Sequence, residues 1–121
     1  MAKVMLAEDD PTMVALLKTL LNMEGFEIAI LADGENVIDA LNRELPDVVL
    51  MDVHLAQGNG IDFLKAIRAE HALAKTVVIM SSGMNVADEC IAAGADRFLM
   101  KPYMPDDLIK DIRESLLARS N

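Results

Sequence analysis

The stretch Asp47-Val48-Val49-Leu50-Met51-Asp52-Val53-His54 sets four consecutive apolar residues between two acids. A run with no polar alternation has no side to offer to water, so it predicts a strand buried on both faces, as in a parallel sheet covered by helices. Asp52 stands where that strand emerges. In open α/β sheets the ligand crevice lies beyond the carboxyl ends of the strands, so an acid here occupies a chemically useful place. Taken alone it reads more readily as a turn residue, and the rest of the chain must decide.

The same pattern recurs on either side. Lys3 to Ala7 is a short apolar strand ending in Glu8-Asp9-Asp10, and Pro11 then opens a helix that carries apolar residues from Met13 to Leu21. Asp10 suits the N-cap and Pro11 the first helical position, with Gly25 as the stop. A second strand, Phe26 to Leu31, leads through Asp33-Gly34 to a helix with Val37, Ile38 and Leu41 on one side, closed by Pro46. After the strand ending at Asp52, a loop with Gly58 and Gly60 precedes a helix that points Ile61, Leu64 and Ile67 at a core. Thr76 to Met80 is the fourth strand, ending in Ser81-Ser82-Gly83, and only a short helix fits between Met84 and Ala93. Asp96 to Met100 is the fifth, ending at Lys101-Pro102, where either peptide isomer is open to the proline. A last helix opens at Pro105, with Asp106 and Asp107 at the positive end of its dipole, and buries Leu108, Ile109, Ile112 and Leu116. Alternation of five strands with five helices predicts a doubly wound α/β domain occupying residues 1–121.

The 121 residues suit one domain. No apolar stretch approaches the ~20 residues that span a bilayer and no secretory leader is visible, so the expected location is cytoplasmic. A single cysteine, Cys90, excludes an internal disulfide and a cysteine-rich zinc site, and is expected to be a small packed side chain. Nine methionines read as flexible gap fillers, Met51, Met80 and Met100 near strand ends among them. His71 is expected to be solvated late in the third helix. A net charge of −9 argues against direct contact with nucleic acid or anionic lipid and for a cation or a protein partner.

If the strands are parallel, Glu8 and Asp9, Asp52, Ser82 and Lys101 share one rim. Carboxylates, a hydroxyl and an ammonium converging there suit a magnesium ion and a phosphoryl group, since the hard dication takes one or two protein carboxylates and keeps water and substrate oxygens for the rest. Each element alone has an ordinary reading: three acids in a row as a solvated turn, a terminal lysine as a surface charge, a serine before glycine as a bend. Their joint occurrence on separate strands is what points to a site. Carboxylates so placed repel, by about 4 kcal/mol for two unit charges 4 Å apart at an effective dielectric near 20, so the site without its cation is expected to be strained.

These residues carry a resemblance. From Val4 to Leu117 the chain resembles the receiver domains of two-component response regulators, through Leu6-Ala7-Glu8-Asp9-Asp10-Pro11, Ala32-Asp33-Gly34-Glu35, Leu50-Met51-Asp52-Val53-His54-Leu55, Gly58-Asn59-Gly60-Ile61-Asp62, Ile79-Met80-Ser81-Ser82-Gly83, Gly94-Ala95-Asp96 and Lys101-Pro102-Tyr103. The resemblance implies a flavodoxin-like sheet of strand order 2-1-3-4-5. It implies that Asp52 accepts a phosphoryl group from a histidine kinase or a histidine phosphotransfer protein. It further implies that Asp9 binds Mg2+ directly and Glu8 mainly through water, and that the main-chain carbonyl of His54 completes the metal site. Ser82 and Lys101 would contact the phosphoryl oxygens, and Phe98 would be the aromatic switch whose ring turns inward as Ser82 moves. The output would be a changed surface for a downstream protein target.

Three departures from the family pattern stand out. Ala56 occupies a position where proline is common, Phe98 replaces a more usual tyrosine, and the chain between Ser82 and Lys101 is about one helical turn short, so the fourth helix is expected to be truncated or partly irregular and residues 84–87 mobile. The chain ends soon after its last helix, so the expectation is a stand-alone monomer without an output domain. Two other readings stay open: a receiver-like scaffold set by partner binding without phosphate, and an aspartate-nucleophile phosphatase. The phosphatase lacks a second acid two residues after Asp52, where His54 stands instead. Without a second histidine nearby in sequence, His54 is not expected to hold a transition metal.

Overall fold

The computed structural model describes residues 1–119. Its main strands are β1 (Lys3–Ala7), β2 (Glu27–Ile30), β3 (Val48–Asp52), β4 (Val77–Ser82) and β5 (Arg97–Met100). They pair in parallel in the order β2-β1-β3-β4-β5, the flavodoxin-like order. The helices are α1 (Pro11–Met23), α2 (Val37–Glu44), α3 (Gly60–Ala69), α4 (Ala87–Ala92) and α5 (Pro105–Arg119). A two-residue antiparallel ladder, His54–Leu55 against Gly58–Asn59, folds the loop after β3 back on itself.

Strand side chains alternate between faces, and the core divides accordingly. Val4, Leu6, Val48, Leu50, Val77 and Ile79 face α1 and α5, where they meet Leu17, Leu21, Leu108 and Ile112. Met5, Ala7, Val49, Met51, Val78 and Met80 face the other way, against Val37, Leu41, Leu64, Ile67 and Cys90 of α2, α3 and α4. The run from Val48 to Met51 is buried throughout because both faces are covered. No helix is long and apolar enough to cross a membrane among the described residues.

Helix starts follow their caps. Asp10 Oδ1 accepts from the amides of Thr12 at 2.9 Å and Met13 at 3.3 Å, with Pro11 as the first helical residue, as its sequence predicts. Asn36 caps α2 through Asp39 N at 3.0 Å, and Asn59 caps α3 through Ile61 N at 2.8 Å. At the end of α1, Gly25 takes the left-handed conformation with φ 93°, which favours glycine.

Several boundaries differ from expectation. Phe26 and Leu31 are buried but flank β2, which pairs only with β1 and ends where that ladder ends. In α5 the helical period carries the buried stripe from Leu108 through Ile112 to Ser115, leaving Leu116 half-buried at its edge. Met100 is exposed at the end of edge strand β5, so of the three strand-end methionines Met51 and Met80 alone fill core space. His71 is exposed in a single 3-10 turn after α3. The fourth helix is indeed short, six residues, with irregular backbone over residues 83–86 before it.

Candidate functional site

Register alone assembles the rim. Ala7 pairs with Met51 and Met80 pairs with Phe98, so the chain leaves β1, β3, β4 and β5 along one edge. Glu8 and Asp52 therefore emerge side by side. Lys101 follows β5, two strands from β3, and its amide donates to Ser82 O at 2.8 Å, which fixes where its side chain starts. From there the ammonium reaches over β4: Lys101 Nζ lies 2.6 Å from Asp52 Oδ2 and 3.1 and 3.0 Å from the two Glu8 carboxylate oxygens. The Glu8 side chain is only 6% exposed and that of Asp52 13%, so the ammonium compensates charge in a partly dry place.

The expected cluster of acids is present with a counter-charge inside it. Lys101 stands between Glu8 and Asp52 and offsets part of their repulsion. Burial would lower the Lys101 pKa, but hydrogen bonds to Asp52 and Glu8, with their negative charges, outweigh it and leave it raised. Glu8 is also held above its usual carboxylate range: burial raises it, Asp52 adds to the rise, and Lys101 opposes it only in part. The sole tyrosine, Tyr103, has its pKa pushed up to about 12, first by burial and then by the charge of Glu8.

The remaining residues are placed differently from one another. Asp52 Oδ1 accepts from His54 N at 3.0 Å, so the His54 amide steadies the carboxylate while its imidazole is exposed. The exposed Asp9 turns away from Lys101: its Oδ2 accepts from the amide of Ala56 at 2.7 Å. Ser82 is fully buried and its Oγ accepts from Met84 N at 3.0 Å, which ties the hydroxyl to the irregular segment before α4. Phe98 is half-buried against the α2–α4 side of the core. Glu8, Asp52 and Lys101 are thus in direct contact, whereas Asp9 and Ser82 bond to the amides of Ala56 and Met84 and Phe98 packs on the core.

Two further residues shape the site without being among the expected site residues. Gly60 N donates to Val53 O at 2.7 Å, and a Cβ on Gly60 would stand 2.4 Å from Asp52 O, so only glycine lets the start of α3 press on the end of β3. Ala56 supplies its amide to Asp9 from the turn after Leu55. The glycine-rich spacing after Asp52 signals the first; nothing in the sequence signals the second.

The candidate donors, carboxylates and a main-chain carbonyl, are all oxygen, which suits a hard dication such as magnesium rather than a transition metal. Among the described residues no three acidic, histidine or cysteine side chains gather in a metal-holding cluster. One or two carboxylates satisfy magnesium, so the residues fit the ion in kind, with Lys101 and the Ala56 amide already engaging them.

Residues 4–113 match the response regulator receiver domain family. The transcriptional regulatory protein CpxR of Escherichia coli K12 is 37% identical over 123 residues, covering 100% of this chain and 51% of that protein. The chain thus spans about half the length of the curated relatives it matches. The receiver domain of Francisella response regulator 1452 superimposes with a TM-score of 0.88 at 26% identity, covering 98% of both chains. The receiver domain of sensor histidine kinase PA1611 from Pseudomonas aeruginosa PAO1, with a magnesium ion coordinated in its active site cleft, superimposes with a TM-score of 0.83 at 24% identity, covering 95% of this chain and 97% of that one. Strand order, the acids and lysine at the switch point, and a family match over nearly the whole chain agree: this protein belongs to the response regulator receiver domains of two-component systems.

Proposed function

We propose that the chain is a magnesium-dependent phosphoacceptor, with Asp52 as nucleophile, that signals to a protein partner through a conformational switch. The observation that carries this reading is the Asp52 carboxylate at the end of β3, held by His54 N on one oxygen and by Lys101 Nζ on the other. In transfer from a phosphohistidine of a histidine kinase or phosphotransfer protein, an Asp52 oxygen attacks phosphorus, the P–N bond breaks, and the imidazole keeps the electron pair and takes up a proton. In hydrolysis, water attacks phosphorus and returns Asp52 and inorganic phosphate.

Asp9, Asp52, Glu8 through water and the His54 carbonyl are the groups that would hold the ion. Magnesium at such a place neutralises phosphoryl charge, as suits the chain's similarity in fold to a receiver domain with magnesium in its cleft. Lys101 is poised to follow the charge: its ammonium is bound to carboxylates that a phosphoryl group would outbid, because charge-assisted bonds strengthen with acceptor charge. Ser82 would have to release Met84 N to turn its hydroxyl toward the phosphoryl oxygens. That release would couple Asp52 to the segment before α4, and Phe98 would fill the space vacated. Catalysis is confined to the chain's own phosphoryl group.

Intact mass after incubation with magnesium chloride and acetyl phosphate tests the reading, with Asp52→Asn alongside. One phosphoryl adduct is expected on the parent, absent from the variant and lost on chelation. Absence of an adduct from folded protein that also fails to bind beryllofluoride favours the scaffold set by partner binding.

A further inference from the structure

We propose that the amide of Ala56 is a built-in competitor for the metal ligand Asp9, so that loading the ion requires the turn after Leu55 to let go. The inference rests on the magnesium-dependent reading above and concerns what the ion must displace.

The contact is short for an N–H donor, 2.7 Å from Ala56 N to Asp9 Oδ2, and its acceptor is a carboxylate. It joins residues that lie far apart in the chain, one after β1 and one in the loop after β3. Asp9 is thereby drawn toward the turn, whereas Glu8 and Asp52 are drawn together by Lys101. These two sets of bonds account for the lack of a three-acid cluster among the described residues. The bond depends on Ala56 having an N–H at all. Proline, common at this position in the family, has none.

The turn itself would accept proline. Ala56 is the first of two residues between the paired Leu55 and Gly58, and Leu45 alone among described non-glycine residues has a positive φ, so φ at Ala56 is negative. Proline is favoured at the first central position of an ordinary turn, and the preceding Leu55 is extended as a pre-proline residue must be. Ala56→Pro therefore removes the donor while leaving the turn its shape. Because the bond is exposed, its loss is expected to tighten magnesium binding about 3- to 10-fold, less than a buried charge-assisted hydrogen bond would give.

The test is titration of magnesium chloride into the full chain, followed by calorimetry and by amide NMR without any phosphodonor. Ala56→Gly retains the N–H and serves as the control; thermal unfolding checks that each variant is folded. We expect Ala56→Pro to bind more tightly than the parent and Ala56→Gly to bind as the parent does. In the unsubstituted protein, the Ala56 amide proton should move upfield and exchange faster at magnesium saturation. Equal or weaker binding by folded Ala56→Pro, or an Ala56 amide that stays protected at saturation, overturns the proposal and makes this amide a support that orients Asp9 for the ion. Should Ala56→Pro fail to fold, the amide signal of the parent decides alone. If the parent does not bind magnesium at all, the metal-dependent reading fails and this inference with it.

Discussion

Gly60→Ala is the sharpest test of how the site is held. A methyl at this position would lie 2.4 Å from Asp52 O and 3.0 Å from Val53 Cα, both backbone atoms. Carbon and oxygen in ordinary contact stand well over 3 Å apart, so α3 must move off the end of β3 by close to 1 Å. The Met80 Cε contact at 3.1 Å can yield by a change of rotamer; the backbone cannot. Overpacking of this kind costs about 1–3 kcal/mol, and stretching the 2.7 Å bond from Gly60 N to Val53 O adds about 1 kcal/mol. Better helix propensity returns only a few tenths at a first helical position. The net, about 2–4 kcal/mol, corresponds to a fall in Tm of roughly 8–16 °C for a chain of this size. Urea unfolding gives the stability change and acetyl phosphate labelling gives its effect on Asp52, which should slow because its strand end has been moved. Gly83→Ala, with open space around the added carbon, is the control. Stability within 0.5 kcal/mol of the parent and unchanged labelling would refute the argument that α3 is pressed against β3 through this glycine.

Tyr103 is the only tyrosine, and the chain has no tryptophan, so its phenolate absorbance reports one group. Its midpoint should lie near 12 in the folded protein and near 10 in denaturant; because the folded state keeps its proton longer, stability should fall as pH rises from about 10 to 12, and a folded midpoint at 10 would show the ring to be solvated. Lys101→Met leaves Glu8 and Asp52 facing each other, and should destabilise the protein by about 2 kcal/mol at pH 7 and by less at pH 4, where Glu8 takes up a proton; an equal loss at both pH values would sink the compensation argument. Arg68 donates to Gly94 O, Ala74 O, Thr76 O and Asp96 Oδ2, a spread that one ammonium cannot reproduce, so Arg68→Lys should cost about 2–3 kcal/mol in urea unfolding. A cost under 0.5 kcal/mol would mean that these bonds are replaced by water.

What the sequence made legible is what depends on neighbours in sequence. Val48 to Met51 reads as a doubly covered strand, and Asp10-Pro11 as the start of a helix, because both signals are local. The rim followed once the strands were taken as parallel. What was not legible arises where segments distant in sequence meet. Lys101 lies 49 residues from Asp52 and 93 from Glu8, and no spacing rule says that its ammonium sits between them. Asp9 reads as a member of an acidic triplet, yet its partner is an amide 47 residues away. In α5 hydrophobicity alone favours Leu116 as a core residue, whereas the helical period turns Ser115 inward. At Met100 composition suggested burial, and an edge strand left it open.

The reach of Lys101 over β4 also bears on how the protein is made. Closing a contact across 93 residues must wait, in a chain built in order, for everything between its ends, since the loop it closes contains β2, β3, β4 and their helices. A chain emerging from the ribosome has both buried carboxylates long before it has their counter-charge. Until β5 is in place, Glu8 and Asp52 must either stay hydrated or hold protons, and β1 and β3 have an electrostatic reason not to close their shared end. β5 is therefore the strand that lets β1 and β3 settle together, and the site comes into being only once Lys101 has been made.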